Sequence, residues 1–144
     1  MTLSDIVITP LPQIQTEGGN IFHAMKVGDP GFSGYGEAYF SWIKIGSVKA
    51  WKRHNRMVMN LIVPVGMVKF VFLSNSAPSE FRVIEIGAKN YARITVPPGL
   101  WFGFQGISNP ESLILNISSI IHDPMEVERK HLDEISFDWD KWND

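Results

Sequence analysis

The chain has 144 residues, with 13 lysines and arginines against 15 aspartates and glutamates, a formal net charge of −2 and no cysteine. That length suits one domain able to bury a core without staples, and the missing thiols exclude disulfides, thiolate zinc sites, iron–sulfur clusters and a cysteine nucleophile. The small net charge gives no footprint for nucleic acid or membrane, although residues 123–144 hold eight acids and three bases while residues 1–122 hold seven acids and ten bases. The apolar runs are shorter than a bilayer span, and "MTLSDIVITPLPQ" lacks the charged-then-apolar shape of a signal peptide, so a cytoplasmic protein is expected.

In chain order, the opening carries an apolar "IVI" and then Pro10 and Pro12, which reads as an edge strand or arm. Asp29-Pro30-Gly31 is a turn, because proline presets φ and glycine accepts the left-handed region. From Glu37 strands follow one another: "AYFSWIKI", "VKAW", "MNLIVPVG" ending at Pro64, "MVKFVFLS", "FRVIEIG", "ARITV" and "SLILNIS", with turn-prone "SNSAPSE" between the fourth and fifth. Such a series of short strands predicts a sandwich, barrel or jelly roll. In "DPMEVERKHLDEI", Asp123 is placed to cap a short helix, Pro124 to take its first position and Glu126 to complete a capping box. The expected organisation is a single unit over 1–144: an N-terminal arm with edge strands (1–36), a barrel (37–121), and a C-terminal helix with an acidic, tryptophan-rich tail (122–144).

The densest chemistry lies in "KAWKRH", Lys49 to His54. In an extended strand Lys52, His54 and Arg56 share a face and Trp51 faces the opposite layer. Three cations on one face suit an anion such as a phosphate, or else a solvated strand. His23, His54, His122 and His131 are the only histidines, and none stands in an H-x-H or H-x-x-x-H pair, so no metal is expected. G-x-S-x-G, G-x-G-x-x-G and P-loop patterns are absent. In "ITVPPGLWFGFQG" a proline–glycine turn leads into Trp101, Phe102 and Phe104, which either stack on a base or sugar ring or fill the barrel.

The ordered set "IGSVKAWKRH…MNLIVPVGMVKFVF", "ITVPPGLWFGF", "LILNISSIIHDPMEVERK" and "ISFDW" resembles the dTDP-4-dehydrorhamnose 3,5-epimerase family of the cupin superfamily, over roughly residues 37–139. The resemblance implies an all-β antiparallel jelly roll with a short C-terminal helix. It also implies a homodimer without cofactor that acts on a nucleotide-linked 4-keto-6-deoxy sugar for surface polysaccharide. The family's Gly-Leu-His triplet is replaced here by Ala50-Trp51-Lys52, its Tyr-x-Pro by His122-Asp123-Pro124, and the histidine after its proline–glycine turn by Phe102. The matching cupin metal positions hold Lys52, Met59 or Asn60, and Phe102. What the resemblance leaves as catalytic groups is His54, Lys52 and His122, with either His54 or Lys52 as the base. The expected substrate contacts are Lys49, Arg56, Asn60, Trp101, Phe102 and Asn116. Two alternatives stay open: a sugar-nucleotide ketoisomerase, and a binding protein that has lost the chemistry.

Overall fold

The computed structural model describes residues 1–140. Among them the chain forms twelve strands: β1 (Val7–Pro10), β2 (Gln13–Ile14), β3 (Ile21–Phe22), β4 (Glu37–Lys44), β5 (Val48–His54), β6 (Met59–Val65), β7 (Met67–Ser74), β8 (Ala77–Gly87), β9 (Ala92–Val96), β10 (Leu100–Gly106), β11 (Glu111–Ser118) and β12 (Val127–Arg129). Two five-stranded sheets carry them, in the orders β1-β9-β6-β11-β4 and β12-β5-β10-β7-β8, with β2 and β3 forming a separate hairpin. The named pairs are antiparallel. Apart from the β7–β8 hairpin, neighbours in each five-stranded sheet are distant in sequence, as in a jelly roll.

The sheets face each other across a core that includes Ile43, Leu61, Val68, Phe70, Phe72, Ile94 and Phe102. A second apolar cluster, Trp51, Val71, Leu73 and Trp101, lies on the other face of the β12–β8 sheet under Ile135, Phe137 and Trp139. Strand β7 shows how the sequence serves both. Val68, Phe70 and Phe72 enter the first cluster, Val71 and Leu73 the second, so a strand covered on both faces reads as an apolar run broken only by Lys69. Lys69 on the same strand is buried and donates to the Trp139 carbonyl at 3.0 Å, tying the C-terminal segment down.

Three local expectations are corrected. Pro64 does not end β6, which runs on to Val65. The register against β11 shifts there, from Ile62 opposite Leu115 to Val65 opposite Leu113, and a bulge is where a strand tolerates a residue with no N–H. "LWFGFQG" is a full strand, β10, not only a turn with aromatic platforms. Gly103 lies so close to β5 that a Cβ there would sit 2.5 Å from the Ala50 Cβ.

The C-terminal helix is reduced to two three-residue 3₁₀ turns, Pro124–Glu126 and Leu132–Glu134, separated by β12. Asp123 does cap the first, accepting from the Met125 N–H at 2.9 Å. Glu126 turns inward to a buried partner rather than back to the cap, and the next residues pair with β5 instead of coiling. Residues 141–144 of the expected acidic tail lie outside the described residues.

Candidate active site

Between the sheets, beside β4, β5 and β10, the core opens into a cavity of about 350 Å³. Its floor and walls are Met59, Leu61, Phe70, Phe102, Phe104 and Ile114, with Ala50 and Trp51 closing one side. Its polar lining is Tyr39, Ser41, Lys49, Lys52, Asn116, Arg129 and Lys130. None of the described residues in that lining is a carboxylate.

The register of β5 explains the charge. Lys52 lies opposite Phe102 and Lys49 opposite Phe104, while Ala50 lies opposite Gly103. The irregularity between Phe102 and Gly103 leaves Trp51 as an extra residue on β5. Strict alternation would put Lys49 and Lys52 on opposite faces; the bulge puts both on the face that carries Phe102 and Phe104. Arg129 on β12 lies opposite Lys52, which adds a third inward cation. Lys130, one residue on, exchanges two backbone hydrogen bonds with Trp51 and holds its ammonium 4.7 Å from the Trp101 ring centroid, on the outer face. Lys49 also donates to the Trp42 carbonyl at 2.9 Å, bridging the two sheets.

Burial pushes the Lys52 pKa below the ordinary lysine value, the Arg129 and Lys49 charges push the same way, and Glu126 opposes them. Desolvation and like charges both disfavour an ammonium, so Lys52 is the cation here whose neutral form is made more accessible. From the opposing sheet, Tyr39 on β4 enters the lining, and its hydroxyl accepts from Asn116 Nδ2 at 3.1 Å.

His54 sits behind this wall. It is 6% exposed, stacks on Phe102 with ring centroids 6.1 Å apart, and meets Glu126 through Nδ1···Oε2 at 2.5 Å. Glu126 is itself 4% exposed, and its other oxygen accepts from the Met57 N–H at 2.8 Å and the Arg56 N–H at 3.2 Å. Burial lowers the His54 pKa despite the carboxylate beside it.

Of the residues singled out from sequence, the cavity brings together Lys49, Lys52, Phe102 and Asn116. His54 is one ring removed. Arg56 lies past the end of β5, exposed and paired with Asp123 at 2.9 Å. Asn60 is spent inside the fold, donating to the Gly31 carbonyl at 3.1 Å and accepting from Thr95 Oγ1 at 2.6 Å. Trp101 points the opposite way from Phe102, and its indole donates to Asn75 at 2.8 Å. His122 is exposed, with its backbone N–H held by Glu37. Phe104, singled out with Phe102 as a stacking or barrel-filling ring, also lines the cavity, while Tyr39, Ser41, Phe70 and Arg129 are lining residues that sequence reasoning did not select. Parity offered Tyr39 and Ser41, because they share a strand face with the buried Ile43.

A crystal structure of a dTDP sugar isomerase from Desulfovibrio desulfuricans G20 superposes with a TM-score of 0.88 at 32% identity, covering 96% of this chain and 93% of that one. The chain belongs to the dTDP-sugar epimerase and isomerase family of the cupin superfamily. The family fold extends to the dTDP-6-deoxy-D-glucose-3,5-epimerase of Legionella pneumophila Philadelphia 1, solved with dTDP-4-keto-L-rhamnose, at a TM-score of 0.78 and 14% identity over 97% of this chain and 81% of that one. A curated relative, a probable low-salt glycan biosynthesis epimerase of Haloferax volcanii, is 28% identical over 91 residues, which span 60% of this chain and 58% of that protein. No family model matches the sequence. Among the described residues no three histidine, cysteine, aspartate or glutamate side chains gather as a metal site, and no helix is long and apolar enough to cross a membrane.

Proposed function

We propose that this chain is a metal-independent isomerase that epimerises a 4-keto-6-deoxy sugar carried on dTDP, for surface glycan assembly. The observation that carries the reading is the cavity itself: two exposed cations at the mouth, Lys49 and Arg129, the half-buried Lys52 beside them, an aromatic and aliphatic floor, and no carboxylate among the described lining residues. Cations of this kind suit a diphosphate through charge-assisted hydrogen bonds, and the uncharged sugar then occupies the deeper, apolar part.

Epimerisation beside a ketone needs a base on one face of the sugar, an acid on the other and a cation for the enolate oxygen. Lys52, as the neutral amine, removes the proton from the carbon next to the ketone, and the C–H electron pair moves into the enolate. Lys49 and Arg129 hold the diphosphate, and the Lys52 ammonium formed in that step offsets the charge on the enolate. Tyr39, on the opposite sheet, returns a proton to the other face. His54 and Glu126 hold the strand that presents Lys52. His122, Arg56, Asn60 and Trp101 take no part in this scheme, which moves the acid from the position expected after β11 to a tyrosine on β4.

The enzyme is expected to be cytoplasmic, to need no cofactor, and to form a homodimer, with light scattering at micromolar concentration as the check. The deciding experiment incubates the protein with dTDP-4-keto-6-deoxyglucose in D₂O and follows it by NMR. Deuterium entering beside the ketone, with inversion, supports epimerisation. Movement of the ketone to the neighbouring carbon shows a ketoisomerase. Binding of dTDP without exchange shows a protein that only binds.

A further inference from the structure

Among the described residues Asn116 is the one amide in the cavity lining, and half of it is unused. It lies on β11 opposite Tyr39 of β4 and Leu61 of β6, next to Ile114 and Met59 on the apolar floor. It is 4% exposed. Its Nδ2 donates to the Tyr39 hydroxyl, while its Oδ1 is buried with no hydrogen-bond partner among the described residues. A buried amide oxygen left unpaired is costly, and such groups are ordinarily satisfied by protein, water or ligand.

Resting on the functional reading above, we infer that Asn116 Oδ1 is a specificity determinant that accepts a hydrogen bond from a hydroxyl of the bound hexose. The orientation follows from charge. Lys49 and Arg129 are exposed at the mouth, whereas Asn116 lies at depth among apolar side chains, so the diphosphate stays outermost and a neutral ring reaches the amide. That ring is the sugar, because the carbon beside the ketone must come within reach of Lys52. The amide also holds the phenol: Tyr39 accepts from Nδ2, which leaves its own O–H proton available to the substrate. A site built to pair a hydroxyl discriminates against an analogue that lacks it, since the protein's acceptor is then left bare.

The test compares dissociation constants of dTDP, dTDP-4-keto-6-deoxyglucose and its 3-deoxy and 2-deoxy analogues by calorimetry, for wild type, Asn116→Leu and Asn116→Ser. Wild type is expected to bind the fully hydroxylated sugar about tenfold better than one of the deoxy analogues, the size of one hydrogen bond to a buried acceptor. Both variants are expected to lose that preference while binding dTDP as wild type does, which also shows that they are folded. A preference that survives in both variants, or equal wild-type affinity for all three sugars, overturns the assignment and leaves the functional reading standing. Preference lost together with dTDP binding in Asn116→Ser, the smaller polar change, makes Asn116 a structural residue and also overturns it. Failure of wild type to bind any dTDP compound sinks the functional reading itself, and this inference with it.

Discussion

Replacing Glu126 by alanine is expected to cost about 2–6 kcal/mol of folding stability, because it strips two buried donors of their acceptor. The structure supplies the parts of that figure. Glu126 accepts from His54 Nδ1, the Met57 N–H and the Arg56 N–H. Met57 and His54 are buried, so alanine leaves two donors without water, each costing about 1–3 kcal/mol; the N–H of exposed Arg56 recovers solvent. Glu126→Gln keeps a carbonyl for both backbone donors and is expected to cost only about 1–2 kcal/mol.

Urea unfolding followed by tryptophan fluorescence measures both variants, and an unchanged m value shows that the same surface is being exposed. Acidification gives a second arm. Burial holds the His54 pKa below 6.5. For Glu126, burial pushes upward, but the hydrogen bonds from His54, Met57 and Arg56 hold it below 4.5. Both folded-state values lie below the unfolded ones, so the unfolded chain binds more protons. Stability should be full above about pH 6.5, fall as the pH drops below the histidine value, and fall again below the glutamate value. An alanine variant within 1 kcal/mol of wild type, or stability that rises from pH 6.5 to 5, would refute this account of the pair.

Lys52→Met should lower deuterium incorporation by about 10²–10⁴-fold while dTDP binding largely survives, since a base acts on the chemical step; in wild type the exchange rate should rise with pH through an apparent pKa below the ordinary lysine value of 10.5. Arg129→Ala should weaken dTDP binding by about tenfold or more, the worth of a charge-assisted contact, and the loss should shrink at high salt as measured by calorimetry. His122→Ala should leave the exchange rate within about twofold of wild type, because its side chain is exposed and absent from the cavity lining; a loss of 10²-fold or more would return the acid role to it.

Strands whose pattern is local were legible. "MVKFVFLS" and "ARITV" coincide with β7 and β9, because short apolar, β-branched runs bounded by turn residues admit little else. What depends on remote contacts was not. "MEVERK" holds good helix formers, yet its backbone hydrogen bonds go to β5, some 75 residues earlier, and tertiary pairing overrides propensity.

The same distance hid Arg129, which stands in the segment expected to be helical. Tyr39 was hidden by hydrophobicity. Phe40 and Trp42 are the more apolar residues of β4, but they are 61% and 51% exposed, while Tyr39, Ser41 and Ile43 turn inward. In β5 the parity of Lys52 and His54 could be read from sequence, but an extra residue beside them could not. It became visible only against the β10 register.

That extra residue has an evolutionary consequence. With Trp51 as the bulge, Lys49 faces the cavity and Ala50 faces out. Deleting Trp51 would restore strict alternation and leave both where they are, because Lys49, Ala50 and Lys52 already keep phase with Phe104, Gly103 and Phe102. The bulge adds an indole to the outer cluster without turning either lysine. A relative one residue shorter before Lys52 would then keep the same inward charges and differ on its outer wall. Length variation in this strand is a route to remodelling the outer surface while the charge of the ligand site is held constant.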